Sequence, residues 1–240
     1  MQKFKGQTHA KGFNITQGAV VGTIHSVASL TAAARLRAGQ CDWLELRVDH
    51  FFPDTDALRR KAATLPLPCI VTVRHGSEGG KAAGMSLRQR RALYGDFMEV
   101  GAMVDIELRQ ATGMRDVIRD AKQAGVGVIL SSHDFLRTPG PARLRELALR
   151  AADAGADIFK SAAMTRTAAD LAKLIDFLAN EKTPLPLAVM GMGPFGKISR
   201  LALAQAGSCL NYGYLGTPNA SGQWPAALLK ARIAELQDAT

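Results

Sequence analysis

Short runs rich in β-branched and apolar residues alternate with amphipathic stretches eight times between residue 19 and the end of the chain. AVVGTIH (19–25) carries the pattern of a strand, and SVASLTAAARLRAG (26–39) has helical periodicity that stops at a glycine. DWLELRVD (42–49), CIVTVRH (69–75), AMVDIEL (102–108), VGVILSSH (126–133), ADIFKSAA (156–163), PLAVMGM (186–192) and SCLNYGYL (208–215) repeat the strand signal. A helical pattern follows each of them. One lies around 54–64, one starts at Ser86 as N-cap, one ends at Gly125, and one is opened by Thr138-Pro139-Gly140-Pro141. The rest are TRTAADLAKLIDFLAN behind a threonine cap, ISRLALAQA, and a last helix from Trp224 to about Gln237. A strand followed by a helix and another strand is the signature of parallel pairing. Eight such units in 240 residues predict an α/β chain folded as a single closed (β/α)8 TIM barrel over residues 19–240, behind a basic N-terminal arm at 1–18. An open doubly wound sheet would place fingerprint glycines after its first strand, where this chain has only Gly22-Thr23.

In such a barrel, chemistry belongs at the C-terminal ends of the strands. Polar residues gather there: Glu45, Arg47 and Asp49; Arg74 and His75, followed by Glu78; Asp105 and Glu107; Ser132, His133 and Asp134; Lys160; and Met190 and Met192 with Arg200 just beyond. Alternation turns Glu45, Arg47 and Asp49 to one face. For Asp49, Asp105 or Glu107 alone, a structural ion pair explains the residue equally well. Across five successive strands that explanation weakens, because a purely structural barrel fills its interior with Val, Ile and Leu. Lys160 is the sharpest candidate. Among apolar neighbours, with cations such as Arg47 or Arg74 close by, its amine is expected to become the neutral nucleophile that imine formation needs. The alternative is a lysine snorkelling out of the barrel mouth. His133 can act as acid and base if a partner such as Glu78 fixes its tautomer, with His75 as competitor. His9, His25 and His50 read as structural.

Gly191-Met192-Gly193-Pro194-Phe195-Gly196-Lys197 imitates a dinucleotide or phosphate loop. It has Ile198 where magnesium would need Ser or Thr, and no acid lies between Gly207 and Ser221, so a nucleotide role is set aside. The net charge of +9 is spread over small groups, Lys3 to Lys11, Arg88 to Arg91 and Arg143 to Arg150, which read as solvated helix faces. Nucleic-acid binding is therefore not expected. The apolar runs fall short of the roughly 18 residues of a membrane span, and the N-terminus lacks a secretory apolar region. Cys41, Cys69 and Cys209, odd in number and widely spaced, read as buried free thiols of a cytoplasmic protein.

Taken in order, ELRVD, TVRHGSEGG, VDIEL, SSHDF, DIFKSA, MGMGPFGKISRLA, GSCLNY and PNASGQ make the chain resemble the type I 3-dehydroquinate dehydratases. The resemblance runs from the second strand onward. It implies a lyase that converts 3-dehydroquinate to 3-dehydroshikimate by syn elimination in the shikimate pathway of aromatic amino acid biosynthesis. Lys160 would form the imine with the ring ketone, His133 would be the acid–base, and Glu78 would orient it. Glu45, Arg47 and Arg74 would hold the substrate's hydroxyls. Arg200 and Gln223, with Asn219 and Ala220 of the late loop, would hold its carboxylate, and Met190, Met192 and Tyr212 would form the apolar wall. No cofactor and no metal are implied, since the imine is itself the electron sink; a homodimer is. Three departures stand out. Asn219-Ala220-Ser221-Gly222-Gln223 replaces a usual Ser-Ala-Pro-Gly-Gln, Tyr212 replaces a usual phenylalanine, and Gly191 stands where a small polar residue is expected. The rival readings are another imine-forming class I aldolase and a catalytically inactive basic barrel that binds nucleic acid.

Overall fold

The computed structural model describes residues 15, 17–82, 84–180 and 182–238. Most of the expected N-terminal arm, including His9, lies outside the described residues. The strands are β1 (Ala19–Ile24), β2 (Trp43–Arg47), β3 (Cys69–Thr72), β4 (Met103–Glu107), β5 (Gly127–Asp134), β6 (Ile158–Met164), β7 (Leu187–Met192) and β8 (Leu210–Tyr214). Between and after them lie α1 (Val27–Ala33), α2 (Asp56–Ala62), α3 (Leu87–Asp96), α4 (Arg115–Ala124), α5 (Pro141–Asp153), α6 (Ala168–Asn180), α7 (Gly196–Gln205) and α8 (Ala226–Asp238). The strands pair in parallel in the order β7-β6-β5-β4-β3-β2-β1-β8, each helix returning the chain to the start of the next strand. This is the expected (β/α)8 barrel.

No strand ladder joins β7 to β8, and the barrel is closed there by single bonds. Cys209 N donates to Leu187 O at 2.9 Å. Ser208 Oγ accepts from Val189 N at 3.0 Å. Nearer the mouth, Arg200 of α7 donates from Nε to Tyr212 O at 2.8 Å and from Nη1 to Gly191 O at 2.9 Å. Buried carbonyls left without a ladder need such partners.

Alternation gives every strand two faces. Val20, Leu44, Val71, Val104, Val128, Phe159 and Val189 face outward, where they join Leu58, Leu93, Leu144, Leu174, Leu203 and Leu229 in one buried cluster under the helices. Full burial of each such side chain contributes about 1.5–3 kcal/mol. Facing inward, Val21, Trp43, Ile70, Met103, Ile129, Ile158, Ala188 and Leu210 plug the floor of the barrel. Polar chemistry is thereby confined to the upper layers.

Several boundaries differ from the sequence reading. α1 stops at Ala33 rather than running to Gly39, because beyond it only Leu36 is even half-buried and nothing anchors another turn. β2 ends at Arg47, and Asp49 sits in a 3-10 turn, Val48–His50. β3 ends at Thr72 because α3 takes over the backbone of Val73. Arg90 Nε and Nη2 donate to Val73 O, and Tyr94 Oη accepts from Val73 N at 3.2 Å while donating to Asp105 O at 2.6 Å. Arg90 is therefore buried, 1% exposed, and not part of a solvated helix face. The Ser86 cap is as expected, reinforced by a reciprocal bond with Gln89.

Candidate active site

The inward faces of β2 to β6 carry Glu45, Arg47, Thr72, Asp105, Glu107, Ser131, His133 and Lys160 above the apolar floor. Unpaired, any one of these charges would cost several kcal/mol to bury. They are paired. Arg74, from the segment just past β3, donates to Asp105 at 2.9 Å, to Glu107 at 3.3 Å and to Ser131 Oγ at 2.8 Å. Glu107 also receives Arg90 at 2.5 Å and the backbone N–H of His75 at 2.7 Å. Arg74, followed by Lys160, holds the fully buried Asp105 carboxyl far below the usual carboxylate range despite the cost of burial.

Lys160 Nζ lies 2.8 Å from Asp105 Oδ2 and 3.4 Å from Glu45 Oε1, and 3.7 Å from the centroid of the Tyr212 ring. The surroundings thus differ from the sequence expectation. The amine is buried, 3% exposed, and does not snorkel, but its nearest partners are two carboxylates and an aromatic face rather than apolar groups and cations. Glu45 is steadied by Thr72 Oγ1 at 3.1 Å. Arg47 points along the mouth, bound bidentately to Asp49 and to Gly79 O. Asp49 accepts also from the backbone of Arg74 and Lys81, so it serves as a tie between loops. Against the cost of its burial, Arg47 keeps its carboxyl below the usual range.

One step above Ser131 on the same face of β5, His133 Nδ1 lies 2.8 Å from Glu78 Oε2. When Glu78 is ionised it only accepts, so Nδ1 then carries the hydrogen and Nε2 keeps its lone pair. Burial, Arg74 and Lys160 lower the His133 ring well below its ordinary value, which makes it a neutral base. Glu78 also accepts from the His133 backbone N–H at 3.1 Å. It is carried there by a 3-10 turn, Gly76–Glu78, ended by Gly79 in the left-handed region, φ 83°. A side chain at Gly80 would collide with the carbonyl of Arg74, 2.1 Å from its Cβ, so only glycine lets the turn fold back this closely. His75, the rival base, caps this turn: its Nδ1 accepts from Ser77 N at 3.1 Å.

The far wall is built from β7, β8 and the loop before α8. Met190 and Met192 join Tyr212 in the inner apolar cluster. The Tyr212 hydroxyl is buried and has no hydrogen-bond partner among the described residues. Gln223 Oε1 accepts from the backbone N–H groups of Asn219 (3.0 Å) and Ala220 (3.2 Å), folding the loop on itself. Asn219 Oδ1 is buried without a partner among the described residues. Gly191 has no room for a side chain, since Ser199 Oγ and Thr165 Oγ1 would sit 2.6 and 2.7 Å from its Cβ. The small polar group expected at 191 is supplied by Ser199, whose hydroxyl accepts from Gly191 N at 3.0 Å. Arg200 has no carboxylate partner among the described residues, and burial alone brings its guanidinium down to about 10. A cavity of about 750 Å3 opens beside the His133–Glu78 pair, lined also by Arg109, Phe135, Arg137 and Arg143.

A model of the type I 3-dehydroquinases matches residues 19–238. The chain belongs to the type I 3-dehydroquinase family. A 3-dehydroquinate dehydratase of Latilactobacillus sakei is 34% identical over 200 residues, 80% of this chain and 82% of that protein. A catabolic 3-dehydroquinate dehydratase of Acinetobacter baylyi is 31% identical over 71% of this chain and 64% of its own. The crystal structure of 3-dehydroquinate dehydratase from Geobacillus kaustophilus superposes with a TM-score of 0.84 at 26% identity, covering 92% of this chain and 91% of that one.

Within this 3-dehydroquinase barrel, the sequence-predicted residues fall into several groups. Glu45, Arg74, Lys160 and Tyr212 touch directly or through Asp105, and Glu78 and His133 form a pair. Asn219, Ala220 and Gln223 share one loop. Arg47 stands on the rim and is tied to Asp49. Sequence reasoning missed Ser131, Thr72, Arg90 and Arg109. Ser131 lies two residues before His133 and pairs in register with Lys160, a signal that alternation could have supplied. Among the described residues, no group of three or more His, Cys, Asp or Glu side chains could hold a metal ion, and no helix is long and apolar enough to cross a membrane.

Proposed function

We propose that the chain is a Schiff-base lyase that removes water from 3-dehydroquinate to give 3-dehydroshikimate, with Lys160 as nucleophile and His133 as acid and base. The observation that carries this reading is a buried lysine beside a neutral histidine whose second nitrogen is fixed by a carboxylate. The amine attacks the ring ketone. Of the two carboxylates beside it, Asp105 is committed to Arg74 and Ser131, which leaves Glu45 to take the departing proton. Loss of water from the adduct gives the iminium, which withdraws electrons from the neighbouring carbon. His133 Nε2 removes a proton there, and the resulting enamine expels the hydroxyl, which leaves as water with the proton that His133 returns. Both proton transfers use one base, which is why the elimination is syn. Hydrolysis of the conjugated iminium frees product and Lys160.

Arg200 suits the substrate carboxylate, because it is a buried cation with no protein carboxylate to neutralise it. Gln223 Nε2 and the Asn219 amide supply neutral contacts beside it. The amide of Asn219 presents either its oxygen or its NH2 to the site, according to how it is turned. Glu45, Arg47 and Arg74 surround the ring hydroxyls, and Met190, Met192 and Tyr212 shield the imine from water. The same reading takes the enzyme as cytoplasmic and homodimeric, working on a small anionic substrate. With 3-dehydroquinate, the wild type is expected to generate the ultraviolet absorbance of the conjugated enone acid, and Lys160→Met to lose at least about 10^4-fold of that rate. Equal rates from the two proteins would overturn the proposal.

A further inference from the structure

Glu78 has two carboxylate oxygens, and the pairing with His133 uses one of them. The other, Oε1, is met by Nε of Arg109 at 2.8 Å. Arg109 lies in the 3-10 turn Leu108–Gln110 that follows β4. Its side chain is 59% exposed while that of Glu78 is 2% exposed, so the arginine reaches in from solvent to a buried acid. The line His133 Nδ1, Glu78 Oε2, Glu78 Oε1, Arg109 Nε is therefore continuous from the acid–base to the edge of the 750 Å3 cavity.

Every other charge near Glu78 is committed elsewhere. Glu107, from β4, faces it with like charge while bound to Arg74 and Arg90. Arg74 is shared among Asp105, Glu107 and Ser131. Arg47 passes close enough to reach Gly79 O but is paired with Asp49. Across the cavity, Arg137 pairs with Asp134 and Arg143 with Glu146. His133, from β5, is the neutral partner. Arg109 is left as the one cation in direct contact with the Glu78 carboxylate among the described residues.

We propose that Arg109 is a positioning residue of the reaction: it holds Glu78 ionised and oriented, so that His133 keeps its hydrogen on Nδ1 and its lone pair on Nε2. The proposal rests on the dehydratase reading. Its leverage comes from where Glu78 stands, since burial and Glu107 push the carboxyl up to about 7 while Arg74 and Arg109 pull it down. A further rise of one unit takes the ionised share at pH 7 from about one half to about one tenth. A protonated Glu78 no longer demands the hydrogen of Nδ1, and the base nitrogen of His133 is no longer assured.

The test compares Arg109→Ala and Arg109→Lys with wild type in two readouts. In the first, kcat and KM for 3-dehydroquinate are followed from pH 5 to pH 9. Arg109→Ala is expected to lose about fivefold in kcat at pH 7 with KM within about twofold, to shift the rising limb up by about one unit, and to recover at alkaline pH. Arg109→Lys should restore most of the loss. In the second, carbon-13 NMR follows the Glu78 carboxyl, whose midpoint is expected to rise in Arg109→Ala alone. An unmoved midpoint with a wild-type pH profile would reduce Arg109 to a surface ion pair and overturn the proposal. A moved midpoint in a protein that does not dehydrate 3-dehydroquinate would overturn it through its premise, with the hold of Arg109 on Glu78 intact.

Discussion

Glu78 shows how a catalytic arrangement opposes the stability of the fold at the scale of one residue. Its carboxyl stands at about 7 in the folded chain, pushed there by burial and by Glu107, against about 4.3 for a free glutamate. The folded state therefore binds this proton more tightly than the unfolded one. The stability contributed is complete below about pH 4 and is lost as pH rises through 7. The ionised form that serves His133 is the form the fold tolerates less well. Glu78→Gln should accordingly lose most of kcat yet raise the melting temperature at pH 8 relative to wild type, with little change at pH 5. A destabilisation equal at both pH values would show that the carboxylate's bonds outweigh its burial. At this scale the sequence was informative about identity and silent about environment. Lys160, His133 and Glu78 were legible as candidates because polar groups on or after barrel strands are unusual, although Lys160 stands in the middle of β6 rather than at its end. The carboxylates beside Lys160 come from β2 and β4, and the arginine on Glu78 from the turn after β4. No spacing along the chain shows which of several inward charges meet across the barrel.

At the scale of elements, the loop between β8 and α8 is the segment on which substrate affinity should turn. It is folded by Gln223, pinned by Trp224 Nε1 donating to Lys197 O at 2.9 Å, and laid directly on the start of α7. Gly222 has φ 79° there, and a Cβ on it would lie 2.6 Å from the Cα of Gly196. Two glycines face to face let the loop come this close without the proline that the resembled family usually has at 221. Gly222→Ala should lift the loop, raising KM for 3-dehydroquinate about tenfold while leaving kcat within about threefold, since Lys160 and His133 stand on other strands. A change confined to kcat would show that the loop takes part in chemistry rather than binding. Some elements were read well where a cap or a glycine marked them, as at Ser86 and Gly125, although Gly39 did not mark the end of α1. Others were read poorly where tertiary contacts decide the end. β3 ends early because Arg90 and Tyr94 take its backbone, an event no local pattern announces.

Over the whole molecule, the eightfold alternation pointed to a parallel sheet, and the count of eight units with the absence of fingerprint glycines after the first strand favoured the closed barrel over an open sheet. The seam could not be read: β7 and β8 meet through Cys209, Ser208 and Arg200 rather than a ladder. Arg200 thus has a place in the closure, apart from the carboxylate-binding role proposed for it. The net charge of +9 is largely dispersed, with Arg119, Arg143, Arg150 and Arg232 paired to acids on their own helices. That leaves Arg200, buried and without a carboxylate partner among the described residues, as an uncompensated cation, which suits a small anion better than a polymer. The central claim is that this barrel works through an imine on Lys160, and intact mass after borohydride treatment in the presence of 3-dehydroquinate tests it most directly. The account expects one substrate-dependent adduct on the wild type, mapped to Lys160 and absent from Lys160→Met; dehydration without any trapped adduct, or an adduct on another lysine, would contradict it.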